Sequence, residues 1–140
     1  MLQYAEDEST LKRCFPTIQV LRPHLTEAVF LKAVREQREE GYRLAYLEED
    51  GEIVACAGFR FSQHLAWGKV IYIDDLVTWP EARGQGHAGT LLSEVVALAY
   101  EHDCDAVHLD SGYHRQDAHR LYLNEGFVLS SHHFARSLKI

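Results

Sequence analysis

Apolar residues recur at helical spacing twice near the start of the chain. Between Glu8 and Leu21 they fall at Leu11, Cys14, Phe15, Ile18 and Leu21, the three-and-four rhythm of an amphipathic helix. Pro16 lies inside this stretch, and a kink or break is expected there. Thr26 is placed to cap a second helix over Glu27–Glu40. Its apolar face is Val29, Phe30, Ala33 and Val34, and Gly41 should end it. Ahead of both helices, Leu2-Gln3-Tyr4 has room for a short strand.

The rhythm then changes to a period of two. Tyr42 to Glu48 alternates, Glu49-Asp50-Gly51-Glu52 is a turn containing Asp-Gly, and Ile53 to Phe61 forms the second arm of a hairpin. After a turn at 63–68, Lys69 to Thr78 supplies a third strand, and antiparallel pairing of all three follows. Beyond the loop Trp79–Gly86 the helical rhythm returns over Ala88–His102, at Leu91, Leu92, Val95, Val96, Leu98 and Ala99. A strand at Ala106–Leu109, a short helix over Asp117–Asn124 and a final β segment or hairpin, Phe127–Leu129 with His133–Leu138, complete the chain. A meander followed by strand–helix–strand–helix–strand predicts an α+β or mixed α/β sheet with helices on both faces. With 140 residues, no repeat and no linker, a single domain over 1–140 is expected.

Composition narrows the function. A hydrophobic fraction of 46% is that of a folded globule. No segment approaches the roughly 18 apolar residues of a membrane span, and the acidic stretch Met1–Asp7 lacks an apolar signal region. A cytoplasmic protein with no membrane partner is expected. The net charge of -7 argues against nucleic acid, whose binders present a basic face. It favours a neutral or cationic substrate. Cys14, Cys56 and Cys104 are odd in number and far apart, which fits neither a disulfide framework nor a cysteine metal site. The nine histidines include no His-x-x-x-His pair, so no metal site is expected.

The loop Arg83-Gly84-Gln85-Gly86-His87-Ala88-Gly89 opens a helix. Glycines let backbone N–H groups come close to an anion. The first helical turn adds unpaired N–H groups and the positive end of the dipole. A pyrophosphate suits that place. The same residues also fit G-x-G-x-x-G, with Asp110 about 20 residues on. A dinucleotide fold would require the glycines to follow the strand directly, whereas Thr78–Arg83 intervene. It would also need more chain than remains after Gly89.

Arg83-Gly84-Gln85-Gly86-His87-Ala88 resembles the (Gln/Arg)-x-x-Gly-x-(Gly/Ala) motif of the GNAT acetyltransferase superfamily. The preceding Leu76–Glu81 resembles that family's fourth strand and loop, and Ala118–Phe127 resembles its second motif block. The two blocks stand in the family's order and spacing. The similarity covers about residues 42–138 well and the N-terminal helices loosely. Residues 115–122 resemble small amine-acetylating members more narrowly, including aminoalkylphosphonate acetyltransferases.

The resemblance implies a mostly antiparallel, twisted central sheet of about six to seven strands, with the fourth and fifth parallel and splayed, flanked by about four helices. It implies acetyl-CoA as cosubstrate, with the pantetheine arm on the backbone of Leu76, Val77 and Thr78. The pyrophosphate would lie on backbone N–H groups from Arg83, Gly84, Gln85, Gly86, His87, Ala88 and Gly89. It implies Tyr122 as the general acid for the CoA sulfur, where the residue pattern alone reads an aromatic packing residue. Where many members carry Asn, this chain has Arg115.

Asp74 and Asp75 sit side by side in an apolar strand, and adjacent strand residues point to opposite faces. At least one should therefore face the interior or a cleft, where a carboxylate is costly unless paired or functional. Family members often carry the base on this strand, and one frequent position falls here on Tyr72, which cannot serve. Asp74 is the favoured base or amine-binding carboxylate and Asp75 the alternative, beside a purely structural role for both. The expected activity is acetyl transfer to a primary amine by direct transfer in a ternary complex. The acceptor is expected to be a small molecule rather than a protein, and the protein a homodimer. The alternative is a non-catalytic CoA-binding module.

Overall fold

The computed structural model describes residues 2–139. They fall into two compact units, 2–109 and 110–139.

In the first unit, β1 (Gln3–Tyr4) leads into α1 (Glu8–Leu21) and α2 (Glu27–Arg38). Both helices start on side-chain caps: Asp7 accepts from Thr10 N at 2.7 Å and Thr26 from Val29 N at 3.2 Å. Of the kink or break expected at Pro16, the break does not occur, and α1 runs through it. Pro16 lies on the exposed side, where water can reach the carbonyl that loses its partner. Leu11, Cys14, Phe15, Thr17 and Ile18, buried on both sides of the proline, hold the helix against the sheet. The second helix ends two residues before the expected Glu40, and Gly41 follows with φ +92°. There Gly41 N bonds Arg38 O, and Tyr42 N reaches back to Gln37 O.

The sheet follows from β2 (Arg43–Glu49), β3 (Glu52–His64), β4 (Gly68–Thr78) and β5 (Ala106–Leu109), in the order β1-β2-β3-β4-β5. Asp50 and Gly51, at φ 51° and 79°, make the tight β2–β3 turn. The first three pairings are antiparallel, and β4 with β5 is parallel. Parallel pairing needs a crossover, here α3 (His87–Glu101).

Phe15, Ile18, Phe30 and Val34 of α1 and α2 form one core cluster with Cys56 and Val77. Helix α3 packs on β3 and β4, and its buried Leu91, Leu92, Val95 and Ala99 stand outside that cluster. The helices thus cover both faces, as the pattern predicted.

The second unit carries α4 (Gln116–Asn124), closed by Phe127 N on Tyr122 O at 2.9 Å. The β segment expected over 127–129 and 133–138 is without regular structure. Apolar residues mark a stretch able to join a sheet, but a strand exists only where a ladder forms. None forms here among the described residues, and Val128, Leu129, Phe134 and Leu138 stay at least 78% exposed. Among the described residues the sheet therefore holds five strands, where about six to seven were expected.

Candidate active site

Two features of β4 shape the site. The ladder with β5 runs from Val70↔Ala106 to Ile73↔Leu109 and stops. Strand β4 continues to Thr78, paired on its β3 edge only among the described residues. The backbone of Asp74 to Thr78 thus has one side turned away from any ladder, as the expected splay requires. Leu76 and Val77 are buried, and Thr78 is half-buried.

The second feature is a bulge. Gly58 pairs with Asp75 and Phe59 with Ile73, so Asp74 is an extra residue on β4. Simple alternation would send the two carboxylates to opposite faces, and the bulge overrides it. Asp74 holds Arg60 in a fork, Nε to Oδ1 at 3.1 Å and Nη2 to Oδ2 at 2.8 Å. Arg60 Nη2 also donates to Gln37 Oε1 at 3.0 Å, and its guanidinium lies 5.5 Å from the Tyr42 ring centre. Asp75 accepts Arg22 Nε on Oδ1 at 3.0 Å and the Tyr42 hydroxyl on Oδ2 at 2.8 Å. Arg22 Nη2 donates to the backbone oxygen of Asp74 at 3.0 Å. Both acids therefore belong to one network with Arg22, Arg60, Gln37 and Tyr42. Burial raises the pKa of Asp74, and Arg60 opposes that rise.

Sequence reasoning did not place Arg22, Gln37 or Tyr42 here. Their partners lie up to 53 residues away in the chain, and only the register of the sheet brings them together. Gly58 was the one available signal, a glycine in a strand interior. A Cβ at Gly58 would lie 1.8 Å from the Tyr42 hydroxyl oxygen, so the missing side chain makes room for Tyr42 to cross the strand and reach Asp75. Gly58→Ala is expected to push Tyr42 off Asp75 and cost about 1–3 kcal/mol, as overpacking does. Thermal unfolding checks this, and an unchanged Tm would disprove it.

Tyr42 is 5% exposed. Burial first, and the charge of Asp75 second, hold its pKa well above the ordinary 10.0. The folded state therefore keeps the phenol protonated where the unfolded chain would ionise it. The stability from this group is complete below the unfolded pKa and is lost as pH rises above it. Tyr42→Phe should lower stability at neutral pH by roughly 1.5–3 kcal/mol, the range for a hydrogen bond to a charged group. It should also flatten the decline of stability above about pH 10. Denaturant titrations across pH test both, and an alkaline limb unchanged in the variant would assign that limb elsewhere.

A cleft of about 200 Å³ opens beside this network between α1, α2 and β4. Arg22, His24, Gln37, Tyr42 and Asp75 supply its polar wall, and Phe30 is among its apolar residues. Asp75 lines this cleft, whereas Asp74 stands outside its lining.

At the end of β4, Pro80–Ala82 makes a 3-10 turn and Arg83, Gly84, Gln85 and Gly86 form an exposed loop. Gly84 and Gly86 have φ +80° and +82°, and no atom lies within 4 Å of a Cβ built on either. Gly86 caps α3 without a side chain. The first helical bond runs from Thr90 N to Gly86 O at 3.0 Å. The N–H groups of His87, Ala88 and Gly89 precede it, at the positive end of the helix dipole. These residues fit an anionic diphosphate: backbone donors at an open helix start, in an exposed loop with space beside its glycines.

The His87 side chain is buried at 7% exposure, with Nε2 lacking a hydrogen-bond partner and lying 3.6 Å from Glu49 Oε2. That side chain brings the start of α3 beside the end of β2. Within the second unit, Tyr122 is 8% exposed and its ring stands 6.1 Å from that of Phe127. Burial raises its pKa, with Arg115 acting in the opposite sense. Among the described residues no group of three metal-ligating side chains gathers, and no helix is long and apolar enough to cross a membrane.

A mixed sheet with a parallel pair that parts at Ile73, followed by a glycine loop on a helix start, defines a class. The model of the Acetyltransferase (GNAT) family matches residues 7–127. The chain belongs to that family and is an acyltransferase by that membership. It is similar to the uncharacterized N-acetyltransferase YhdJ of Bacillus subtilis (strain 168), 31% identical over 124 residues and 87% of each chain. It is also similar to the aminoalkylphosphonate N-acetyltransferase of Salmonella typhimurium, 34% identical over 98 residues, which are 69% of this chain and 62% of that one. Among solved structures it resembles AAC(6')-Iy in complex with the bisubstrate analog CoA-S-monomethyl-acetylneamine. There the TM-score is 0.84 at 13% identity, over 100% of this chain and 98% of that one.

Proposed function

We propose that the protein transfers the acetyl group of acetyl-CoA to the primary amine of a small molecule, directly within a ternary complex. The observation that carries this reading is the loop after β4, with its left-handed Gly84 and Gly86 and the uncapped start of α3. Acetyl-CoA supplies an acetyl group activated as a thioester. Backbone N–H groups from Arg83 to Gly89 hold its pyrophosphate. The unpaired side of Leu76, Val77 and Thr78 takes the pantetheine amides as a further strand would be taken. Family membership and the CoA-based ligand of AAC(6')-Iy support the cosubstrate.

The lining of the cleft favours Asp75 as the carboxylate that meets the amine, directly or through water, and takes its proton. Asp74 fixes Arg60 behind it. Tyr122 is the acid that returns a proton to the sulfur. The products are an amide and CoA thiol, so the proton lost by the amine balances the one gained at sulfur.

Free-thiol release with acetyl-CoA and a panel of small amines tests the reading. Amine-dependent release is the expected result. Saturable acetyl-CoA binding with no release for any amine would make the protein a CoA-binding module instead.

A further inference from the structure

The cleft beside Asp75 also specifies what kind of amine enters it. The two carboxylates, Asp74 and Asp75, are matched one to one by the guanidinium groups of Arg60 and Arg22. Among the residues lining the cleft, Asp75 is the only acid, facing Arg22 and His24. The negative charge that would attract a purely cationic amine is already neutralised. A bare ammonium entering beside Arg22 would leave an uncompensated positive charge in a half-buried place. A ligand carrying its own anion restores the balance.

Donors are left over on residues that line the same space. Arg22 spends Nε and Nη2 on Asp75 and the Asp74 carbonyl, and Nη1 has no partner among the described residues. Gln37 gives its oxygen to Arg60, which can only donate. Its amide nitrogen is therefore left as a donor. His24 adds a third polar group from the α1–α2 connection. On the other side, the Tyr42 and Arg22 bonds hold the Asp75 carboxylate in place, with lone pairs remaining for an amine. At about 200 Å³, the cleft is below the roughly 300–1,000 Å³ of sites for drug-sized ligands.

We propose that the acceptor is a small zwitterion: a primary amine, placed on Asp75, carrying a carboxylate or phosphonate a few bonds away that is held by Arg22 and Gln37. This rests on the acetyl-transfer reading and narrows it, and of the neutral or cationic substrates that net charge favoured it selects a zwitterionic one. The name of the Salmonella relative is consistent with it.

Matched amines provide the test. Thiol release is measured with 2-aminoethylphosphonate, β-alanine, n-propylamine and putrescine, for the intact protein, Arg22→Lys and Arg22→Gln. Binding of each amine to CoA-saturated protein is followed calorimetrically. One or both anion-bearing amines should exceed n-propylamine in kcat/KM by roughly tenfold or more, as expected for one charge-assisted hydrogen bond. The preferred one of the pair distinguishes phosphonate from carboxylate. Arg22→Gln should collapse that ratio through KM while the Kd for acetyl-CoA is retained, and Arg22→Lys should recover part of it.

Equal or better use of n-propylamine or putrescine would overturn the zwitterion while leaving acetyl transfer standing. Binding of an anionic amine to CoA-saturated protein without thiol release would uphold the acceptor class and remove acetyl transfer. Neither binding nor turnover of the anionic amines would overturn the acceptor class.

Discussion

Gly86→Glu should abolish acetyl-CoA binding while leaving a folded protein, and Gly86→Ala should retain much of it. The pair separates two consequences of losing the glycine. At φ +82° any side chain is strained by about 1–2 kcal/mol, and both variants bear that. No atom lies within 4 Å of a Cβ at this position, so the Cβ that both variants add meets open space. Only the glutamate places an anion at the open start of α3, where the pyrophosphate is proposed to lie. Two unit charges about 5 Å apart at an effective dielectric near 20 repel by roughly 3 kcal/mol, more than a hundredfold in affinity. Calorimetric titration and thermal unfolding together check this. Equal loss of affinity in both variants would assign the effect to backbone strain. Unchanged affinity in Gly86→Glu would move the cosubstrate away from this loop.

Where the sequence was legible, local chemistry set the outcome. The cap at Thr26, the Asp50-Gly51 turn and the glycines of the loop before α3 each act within four residues, and the elements followed them. The apolar rhythm likewise located α3 and the strand at Ala106–Leu109, which matched its expected bounds. The departures arise where neighbours decide. Pro16 is tolerated because burial on both sides holds α1 together. The β segment expected over 127–129 and 133–138 does not form without a ladder. The bulge at Asp74 breaks the alternation that set the two acids on opposite faces. The network of Arg22, Gln37 and Tyr42 is built from three different segments, so no motif spacing contains it. Gly58, cleared for the Tyr42 ring, is its one trace in the sequence.

Tyr122→Phe should lower kcat by about 10²-fold, near the low end of the range for acid–base groups, with little change in KM for acetyl-CoA. The low end follows from the proton balance. An ordinary thiol has a pKa near 8.5, and a phenol raised above 10 is a weaker acid than that by at least about 1.5 units, or roughly 2 kcal/mol. Handing a proton to a free thiolate is therefore uphill. The gain must come from hydrogen bonding to the sulfur as its charge develops, before the bond to carbon is fully broken. Burial serves that role by keeping the phenol protonated through neutral and mildly alkaline pH. The rate of the intact protein should therefore decline only above pH 10, and the variant should lack that limb. Phenylalanine keeps the ring against Phe127, so the Tm should move little and a fall in kcat would report chemistry rather than unfolding. A kcat within about threefold of the intact protein, far short of the expected factor, or an alkaline limb that persists in the variant, would make Tyr122 a packing residue and leave the sulfur to be protonated by water.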